Sequence, residues 1–383
     1  MTGASRRGTV LVTGGAGFIG SRLSLSLVSA GYHVKVLDVL APQVHGADPD
    51  SSPLFRAIRD KVEFRLGSVT SRRDLMEVLP GCDAVVHLAA ETGTGQSMYA
   101  VHHYAEVNVC GTALLLDLIG SEKLPVGKLV VASSRAVCGE GKYRCADHGA
   151  IFPSSRLAED MSAGCFDVLC PRCRRPAELR PTDEETPVRP TSLYGITKLT
   201  QEQMVLTIGR ALGISAVALR YQNVYGPGQS LSNPYTGILS IFSTRLRMGR
   251  GVEIFEDGLE SRDFVYVDDV VDITRRAVEF EAPLQGVFNV GSGVATSVLS
   301  VAEALRSLLG CEGEIAITGR FRLGDVRHNV ADLTKVRAAL GFEPSVPIGE
   351  GLRRFVDWVR DEPLEVDRYE ESLGELEAKG LLK

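Results

Sequence analysis

A tyrosine and a lysine in the middle of the chain are spaced for proton transfer. Tyr194 and Lys198 stand four residues apart in the segment YGITK, so on a helix both side chains lie on one face, about one turn apart. A phenol titrates near pH 10 in water, and a nearby cation must stabilise the phenolate before it acts as a base at neutral pH. Lys198 and the positive ring of a nicotinamide cofactor would supply that charge. The same pair is also typical of an ordinary surface helix, so a catalytic role needs support from other residues.

Two serines provide such support. Ser133 and Ser134 close the apolar run that begins at Lys128, in the segment VVASSRAVCGEG. Open α/β sheets bind their ligands at the carboxyl ends of the strands, where these hydroxyls are expected. A serine hydroxyl both donates and accepts hydrogen bonds, so it can help a phenol move its proton. Capping of a turn is the alternative role for either serine.

Three glycines mark the first predicted turn of the chain. In TVLVTGGAGFIG, residues 9–20, Gly14, Gly17 and Gly20 are spaced three apart between a strand and an amphipathic stretch. Such a turn lets the backbone approach a pyrophosphate at the positive N-terminus of a helix. Asp38 ends the next strand and would accept hydrogen bonds from both ribose hydroxyls, which favours NAD over NADP. The alternatives are a tight turn without a ligand and, for Asp38, a solvated strand end.

Cysteines and a histidine form two close pairs in a proline- and arginine-rich segment. Cys145 and His148 have the spacing C-x2-H, and Cys170 and Cys173 have the spacing C-x2-C. Zinc prefers four tetrahedral thiolate or imidazole ligands, so these four residues are the predicted ligands of a structural zinc ion, with Cys165 as the competing fourth ligand. Metal binding would also stabilise a segment with little apolar content. A redox pair at Cys170 and Cys173 is the main alternative, and unligated thiols are another.

The elements that must position these residues alternate between short apolar runs and helical patterns from Thr9 to His148. This alternation predicts an α/β fold with a doubly wound parallel sheet of the Rossmann type. Residues 1–225 are the predicted NAD-binding domain, residues 140–190 a Cys-rich insertion in it, and residues 226–383 a smaller α+β substrate-binding domain. Residues 365–383 are charge-rich and are expected at the periphery.

Composition narrows the function classes. The chain of 383 residues is 44% hydrophobic and carries a formal net charge of −6, which argues against binding to nucleic acid or to an anionic membrane surface. No apolar run approaches the roughly 20 residues that a membrane helix needs, and the first residues lack the apolar region of a signal peptide. We therefore expect a soluble cytoplasmic protein.

Six segments in order resemble the extended short-chain dehydrogenase/reductase family, specifically its NAD-dependent nucleotide-sugar epimerases and dehydratases. The resemblance covers roughly residues 9–360 without the insertion. Segments at 43–46, 95–99 and 232–242 are most similar to the subgroup of dTDP-L-rhamnose 4-epimerase-like proteins. The six segments are TGGAGFIG, HLAA (87–90), SSRAVCG, YGITK, LRYQNVYGPG (219–228) and RDFVYVDDV (262–270).

The resemblance implies roles residue by residue. Tyr194 would be the base, Ser134 its hydrogen-bonding partner, and Lys198 the residue that holds the nicotinamide ribose and lowers the pKa of the tyrosine. A homodimer is also implied. The implied cofactor-binding residues are Gly14, Gly17, Phe18, Ile19, Gly20, Asp38, Leu88, Ala89, Ala90, Ser133, Tyr194 and Lys198. The implied substrate-binding residues are Thr92, Gln96, Ser134, Asn223, Asn233, Arg262 and Arg327, of which the two arginines would grip a diphosphate unless they pair with carboxylates instead.

Departures from the family pattern bear on the reaction. Dehydratases of this family carry acidic residues directly after the catalytic serine position, whereas this chain has Arg135 and Ala136. The expected function is therefore a nucleotide-sugar 4-epimerase, which oxidises C4 transiently to a 4-keto sugar and returns the hydride. Alternatives are a 4,6-dehydratase, a decarboxylase, a net dehydrogenase, or a catalytically silent NAD-binding protein. Ser68, Cys138 and Gln222 replace an Asp, a Tyr and a Phe of the pattern, and the last two leave the sugar open.

Overall fold

A computed structural model describes residues 7–233, 235, 237–364 and 367–383. In sequence order its strands are β1 (Thr9–Thr13), β2 (His33–Asp38), β3 (Glu63–Leu66), β4 (Ala84–His87), β5 (Lys128–Ser134), β6 (Tyr143–Cys145), β7 (Gly149–Ile151), β8 (Glu178–Leu179), β9 (Ser215–Tyr221), β10 (Asn223–Tyr225), β11 (Val252–Ile254), β12 (Ser261–Tyr266), β13 (Gly286–Val290), β14 (Ala295–Ser297) and β15 (Ile315–Ile317).

The helices alternate with these strands, and a π-helical stretch, Ala105–Cys110, joins two of them. They are α1 (Phe18–Ser29), α2 (Pro42–His45), α3 (Pro53–Ile58), α4 (Arg72–Val78), α5 (Thr94–Ser97), α6 (Val101–Tyr104), α7 (Gly111–Ser121), α8 (Ala158–Ser162), α9 (Leu193–Ala211), α10 (Ile238–Arg247), α11 (Val267–Glu279), α12 (Val298–Leu309), α13 (Thr334–Leu340), α14 (Ile348–Asp361) and α15 (Tyr369–Ala378).

The main sheet has seven parallel strands in the order β13-β9-β5-β4-β1-β2-β3. Its central strands β1, β4, β5 and β9 are buried on both faces, as helix-covered parallel sheets are, whereas the edge strand β3 is partly exposed. Val10 and Val12 of β1 belong to one hydrophobic cluster, and Leu11 between them belongs to the cluster on the opposite face. This confirms the doubly wound α/β fold. The strand order changes direction between β1 and β4, the place where such sheets bind nucleotides.

The second half of the chain does not separate cleanly from the first. β13 lies beyond the boundary predicted at residue 225, yet it pairs in parallel with β9 and forms the edge of the main sheet. The remaining strands of this half form small sheets, β10-β12-β14 and β11-β15, which with α10 and α12 build the smaller α+β region. The predicted boundary at residue 225 therefore places β13 in the substrate-binding domain, whereas the apolar run of β13 completes the main sheet of the first domain.

The insertion is a small unit of its own. β7, β6 and β8 form a three-stranded antiparallel sheet, and α8 precedes the second cysteine pair. Its hydrophobic cluster has few fully buried members, namely Tyr143, Cys145, Ile151, Val168 and Cys170. So small a core indicates that other interactions must hold the insertion in place.

The C-terminal segment is not peripheral, contrary to expectation. Tyr369, Leu373, Leu376 and Leu382 are buried together against side chains that include Tyr99. The last residues also exchange backbone hydrogen bonds with Phe321 in the substrate region. This segment therefore joins a loop of the main sheet to the smaller region. Among the residues that the model describes, no helix is long and apolar enough to cross a membrane.

Candidate active site

The glycine-rich turn packs too tightly to admit side chains. Gly14 has φ +69°, and a Cβ added there would lie 2.8 Å from the backbone nitrogen of Ala89. A Cβ added at Gly20 would lie 2.1 Å from the carbonyl oxygen of Gly14. Gly17 is the N-cap residue of α1, whose first residues are Phe18 and Ile19. The turn thus exposes backbone N–H groups at a helix N-terminus, the arrangement that binds phosphate.

Asp38 holds this turn from the end of β2. One carboxylate oxygen accepts a hydrogen bond from the N–H of Ala16 at 2.9 Å, and the other accepts from the N–H of Leu40 at 2.9 Å. Each carboxylate oxygen of Asp38 has a further lone pair, so it can still accept the predicted hydrogen bond from a ribose hydroxyl. Asp38 therefore lies beside the glycine turn, where a nucleoside ribose would need it.

The segment after β4 forms the opposite wall of the turn. The N–H of Leu88 donates to the carbonyl of Thr13 at 3.1 Å, and the N–H of Ala89 donates to the Thr13 hydroxyl at 3.3 Å. Ala90 follows directly. The structure thus brings the predicted cofactor residues of the first and fourth strands together at one edge of the sheet.

Tyr194 and Ser134 meet above the carboxyl end of β5. Tyr194 lies in the first turn of α9, and the hydroxyl of Ser97 accepts a hydrogen bond from its backbone N–H at 3.1 Å. Burial raises the pKa of the Tyr194 phenol, whereas a hydrogen bond from Ser134 and the charge of Arg135 act in the opposite direction. Tyr194 and Ser134 therefore lie close enough for the serine to influence the phenol, and their pairing in catalysis stays a prediction.

Lys198 lies one turn further along α9 and is 2% exposed. Its Nζ donates a hydrogen bond to the carbonyl of Ala132 at 2.9 Å. Burial lowers the pKa of this lysine to about 7. The charge of Arg135 opposes the effect of burial on the pKa of Tyr194, which remains raised overall.

Ser133 has a different environment from its neighbour. Its hydroxyl donates to the Glu202 carboxylate at 2.8 Å, and Arg220 binds the same carboxylate with two hydrogen bonds, of 3.0 and 2.7 Å. All three residues are buried. The Ser133 hydroxyl therefore links β5 to α9, and its predicted contact with the cofactor stays a prediction.

Three polar side chains meet at the mouth of the cleft. Gln43 donates to the Oε1 of Gln96 at 3.4 Å and to the Oδ1 of Asn233 at 3.1 Å. Thr92 lies four residues before Gln96, and its carbonyl accepts a hydrogen bond from Tyr104. These contacts join the three segments that resemble dTDP-L-rhamnose 4-epimerase-like proteins. The structure thus gathers the predicted sugar-facing residues Thr92, Gln96 and Asn233 in one place.

Asn223 and Arg262 lie on the paired strands β10 and β12. Arg262 donates to an oxygen of Asp325 at 3.1 Å and to the carbonyl of Arg327 at 3.1 Å. The Oδ1 atom of Asn223 is buried and has no hydrogen-bond partner among the described residues. Arg262 is thus oriented by a carboxylate, and the Asn223 oxygen on the neighbouring strand still needs a donor.

Arg327 does not fit the role predicted for it. The residue is 1% exposed, and its guanidinium lies within 2.6 Å of Asp257, 3.0 Å of Glu256 and 3.4 Å of Asp167. Both terminal nitrogens of Arg327 already donate to these three carboxylates, so neither nitrogen is free to bind a diphosphate. We therefore reassign Arg327 from substrate binding to an internal ion network.

That network anchors the insertion to the substrate region. Arg156 of the insertion binds Glu256 with two hydrogen bonds, of 2.7 and 2.8 Å, and binds Glu140 at 3.1 Å. Its remaining donors reach the carbonyl oxygens of Phe166 and Asp325. Burial raises the pKa of Glu140 to about 7 against the opposing charge of Arg156. The insertion therefore contacts the cleft through the segment that also holds Arg262.

The four predicted zinc ligands converge in the insertion. The ligand atoms of Cys145, His148, Cys170 and Cys173 all lie within 4.8 Å of one another. The Cys145 sulfur is 3.6 Å from that of Cys173 and 3.5 Å from the Nδ1 of His148. A tetrahedral ion with Zn–S bonds of about 2.3 Å separates two sulfurs by about 3.8 Å, so the cluster has the right size.

The competing assignments of the cysteines fare less well. Cys165 is not part of the cluster, and His148 takes the fourth place. All eight cysteines, each within the described residues, are unpaired thiols. Backbone N–H groups of Cys173 and Arg172 lower the pKa of the Cys170 thiol to about 6, which favours the thiolate that binds metal ions.

Some residues of the cleft escaped the sequence reasoning. Arg135 stood out only as a departure from the dehydratases, and Asp325 only as part of the segment that contains Arg327. Arg156 gave no signal, because its partners Glu140 and Glu256 are 16 and 100 residues away. Buried ion pairs between remote segments depend on the tertiary structure.

Comparisons with known proteins agree with this geometry. A profile of the NAD dependent epimerase/dehydratase family matches residues 10–155 and 171–291. A dTDP-L-rhamnose 4-epimerase of Burkholderia thailandensis is 38% identical over 355 residues, which are 92% of this chain and 95% of that protein. Two solved structures, both UDP-glucose 4-epimerases, are also similar. The one from Thermotoga maritima, with UDP-glucose, has 31% identity and a TM-score of 0.74 over 92% of this chain and 98% of its own. The one from Thermus thermophilus, with NAD, has 28% identity and a TM-score of 0.71, and the match covers 93% of this chain and 100% of that chain.

Proposed function

The chain belongs to the NAD-dependent epimerase/dehydratase family, and on this premise we propose that it is a nucleotide-sugar 4-epimerase that uses NAD. The observation that carries the proposal is the meeting of Ser134, Tyr194 and Lys198 at the carboxyl end of β5, beside the glycine turn of β1. Residues of these types can transfer the proton of an alcohol while a bound dinucleotide oxidises that alcohol.

The cofactor site fits NAD. The turn at Gly14 and Gly20 leaves no room for a Cβ, so only backbone faces the place where a pyrophosphate would lie. Asp38 would hold the adenosine ribose, and its negative charge would repel a 2′-phosphate. NAD supplies a hydride acceptor that takes up and then returns the hydrogen of sugar C4.

The protein's own groups move the proton and hold the sugar. Tyr194 accepts the proton of the C4 hydroxyl as a phenolate, and the Ser134 hydroxyl would stabilise that phenolate beforehand by donating a hydrogen bond. Lys198 would hold the nicotinamide ribose, and Tyr194 returns the proton when the sugar is reduced on its other face. Because the redox change is transient, substrate and product have the same mass.

The substrate side favours a dTDP-linked 6-deoxyhexose as the first compound to test. The relative with 38% identity is named for dTDP-L-rhamnose, and Gln43, Gln96 and Asn233, which lie in the segments that resemble its subgroup, contact one another at the cleft. Arg262 and Asn223 are proposed to bind the diphosphate or the sugar, which would require Arg262 to share its donors with Asp325. Arg135 and Ala136 supply no carboxyl group for eliminating water, which speaks against a dehydratase.

A panel of nucleotide sugars tests the proposal. The purified protein is incubated with dTDP-, UDP-, GDP- and CDP-sugars, and products are followed by chromatography, mass spectrometry and proton NMR. One sugar is expected to yield a C4 epimer of equal mass, and Tyr194→Phe is expected to abolish the conversion. Loss of water or carbon dioxide, or NAD binding without any turnover, would contradict an epimerase.

We also propose that Cys145, His148, Cys170 and Cys173 hold a structural zinc ion. Four protein ligands close the coordination sphere, so the metal would stabilise the insertion and leave no open position for chemistry. The small core of the insertion supports this role. A homodimer and a cytoplasmic location remain predictions; light scattering of the purified protein tests the first.

A further inference from the structure

Arg135 occupies a position in the cleft that the proposed mechanism does not use. It begins a 3₁₀ turn, Arg135–Val137, for which Ser134 is the N-cap residue. This turn packs on the first turn of α9, since a Cβ added at Gly195 would lie 2.5 Å from the carbonyl oxygen of Ala136. Arg135 therefore lies beside Tyr194, and the charges of Tyr194, Arg262, Asp325 and Glu140 all act on it.

The guanidinium of Arg135 has unused hydrogen-bonding capacity. Within the described residues it has no side-chain hydrogen bond and no ion pair, although the side chain is half-buried. Arg262 nearby is engaged by Asp325 and by two backbone carbonyls. A partly desolvated guanidinium carries five N–H donors, and leaving them unpaired is costly. This points to acceptors supplied by a ligand.

A small cavity adjoins Arg135. It measures about 10 Å³, and Arg135, Glu140, Gln222 and Asn329 are among the residues that line it. Gln222 and Asn329 are 8% and 9% exposed, and the side-chain oxygen of each is buried without a hydrogen-bond partner among the described residues. A guanidinium without partners and two amide oxygens without partners thus belong to residues around a space that suits one water-sized group.

We propose that Arg135, Gln222 and Asn329 form a specificity subsite that binds a hydroxyl group of the sugar. This inference rests on the proposed function. A hydroxyl matches the subsite because it accepts from the guanidinium while it donates to one of the amide oxygens. A carboxylate is larger than this cavity, it only accepts hydrogen bonds, and the carboxylate of Glu140 in the same lining would repel it. The subsite therefore selects neutral hydroxylated sugars over uronic acids.

Binding measurements on the NAD-loaded protein test the subsite. The titrants are dTDP-L-rhamnose, dTDP alone, dTDP-glucose and dTDP-glucuronic acid, each followed by calorimetry. Arg135→Ala is expected to weaken binding of dTDP-L-rhamnose about 10- to 100-fold, as for a lost hydrogen bond to a charged group. Its affinity for dTDP is expected to stay within about twofold, because the proposal assigns Arg135 to a hydroxyl group of the sugar, which dTDP lacks. Arg135→Lys keeps the charge but loses the planar fork of donors, so its affinity for dTDP-L-rhamnose should fall between those of the unaltered protein and Arg135→Ala.

Controls separate this idea from a general loss of structure. Arg210→Ala removes an exposed arginine from the far end of the same helix as Tyr194 and should leave all four affinities unchanged. Unchanged sugar binding in Arg135→Ala, or an equal loss for dTDP, would overturn the subsite. So would a preference of the unaltered protein for dTDP-glucuronic acid over dTDP-glucose. If the unaltered protein bound dTDP-L-rhamnose no better than dTDP, the proposed function itself would fail.

Discussion

At the scale of single residues, Lys198 is unusual because it is buried beside one hydrogen-bond acceptor. Its pKa falls from 10.5 to about 7 in the folded chain, and burial is the cause. Between these two values the unfolded chain binds a proton that the folded chain does not, so the stability of the protein rises with pH across this range. Below about pH 7 Lys198 is protonated in both the folded and the unfolded chain, and its buried charge then lowers the free energy of unfolding by its full amount.

We therefore expect Lys198→Met to stabilise the cofactor-free protein. The gain in the free energy of unfolding should be largest below pH 7 and should disappear towards pH 10. Urea unfolding at several pH values measures it, with the exposed Lys61→Met as the matched control. A difference between Lys198→Met and the unaltered protein that does not change with pH would contradict the burial of a charged lysine.

The candidate site also shows what single residues reveal in a sequence. Ser134, Tyr194 and Lys198 could be predicted because short motifs fix their spacing, and the fold places those motifs at one sheet edge. Arg327 was wrongly predicted to bind a diphosphate because its partners Asp167, Glu256 and Asp257 lie 160, 71 and 70 residues away in the chain. A motif identifies a residue type, whereas its partners depend on the fold.

At the scale of elements, the turn between β1 and α1 is the most constrained. We expect Gly20→Ala to abolish NAD binding and to destabilise the protein by about 1–3 kcal/mol, because its Cβ would lie 2.1 Å from the Gly14 carbonyl and would force the backbone apart. Cofactor fluorescence and thermal unfolding measure the two effects. Gly349→Ala in α14, with open space around its Cβ, is the control. NAD binding retained in Gly20→Ala would contradict the tight turn.

The insertion offers a second test at this scale. Cys170→Ser should remove bound zinc and make residues 140–190 susceptible to proteolysis, because the small core cannot hold the segment without the metal. Metal analysis and limited proteolysis with mass spectrometry measure both effects. Cys165→Ser, outside the cluster, should behave like the unaltered protein. Equal protease resistance of Cys170→Ser and Cys165→Ser would contradict a structural zinc site.

At the scale of the whole molecule, the C-terminal segment ties the two sides of the cleft together. The carboxylate of Glu375 accepts hydrogen bonds from Tyr99 and from Tyr235, both at 2.6 Å. Tyr99 follows α5, the short helix that carries Gln96, and Tyr235 lies in the substrate region. The charge-rich composition of this segment predicted a peripheral position. The structure differs because Leu373 and Leu376 pack against Tyr99, which is distant in sequence and comes near only in the folded chain.

We expect Glu375→Ala to raise the dissociation constant of the nucleotide sugar about fivefold, as for the loss of about 1 kcal/mol of hydrogen bonding. NAD binding should not change, because the cofactor turn lies elsewhere. Calorimetry measures both affinities, with the exposed Glu371→Ala on the same helix as control. An equal effect of the two substitutions would show that charge, and not the link between the two tyrosines, is responsible.

The central claim is that hydrogen leaves sugar C4 and returns to it within one active site. The most direct measurement uses dTDP-L-rhamnose with deuterium at C4 and follows the product by NMR and mass spectrometry. The account predicts a C4 epimer of unchanged mass that keeps the deuterium, formed by the unaltered protein and absent with Tyr194→Phe. Deuterium lost to solvent, a product lighter by one water, or steady accumulation of NADH would contradict it.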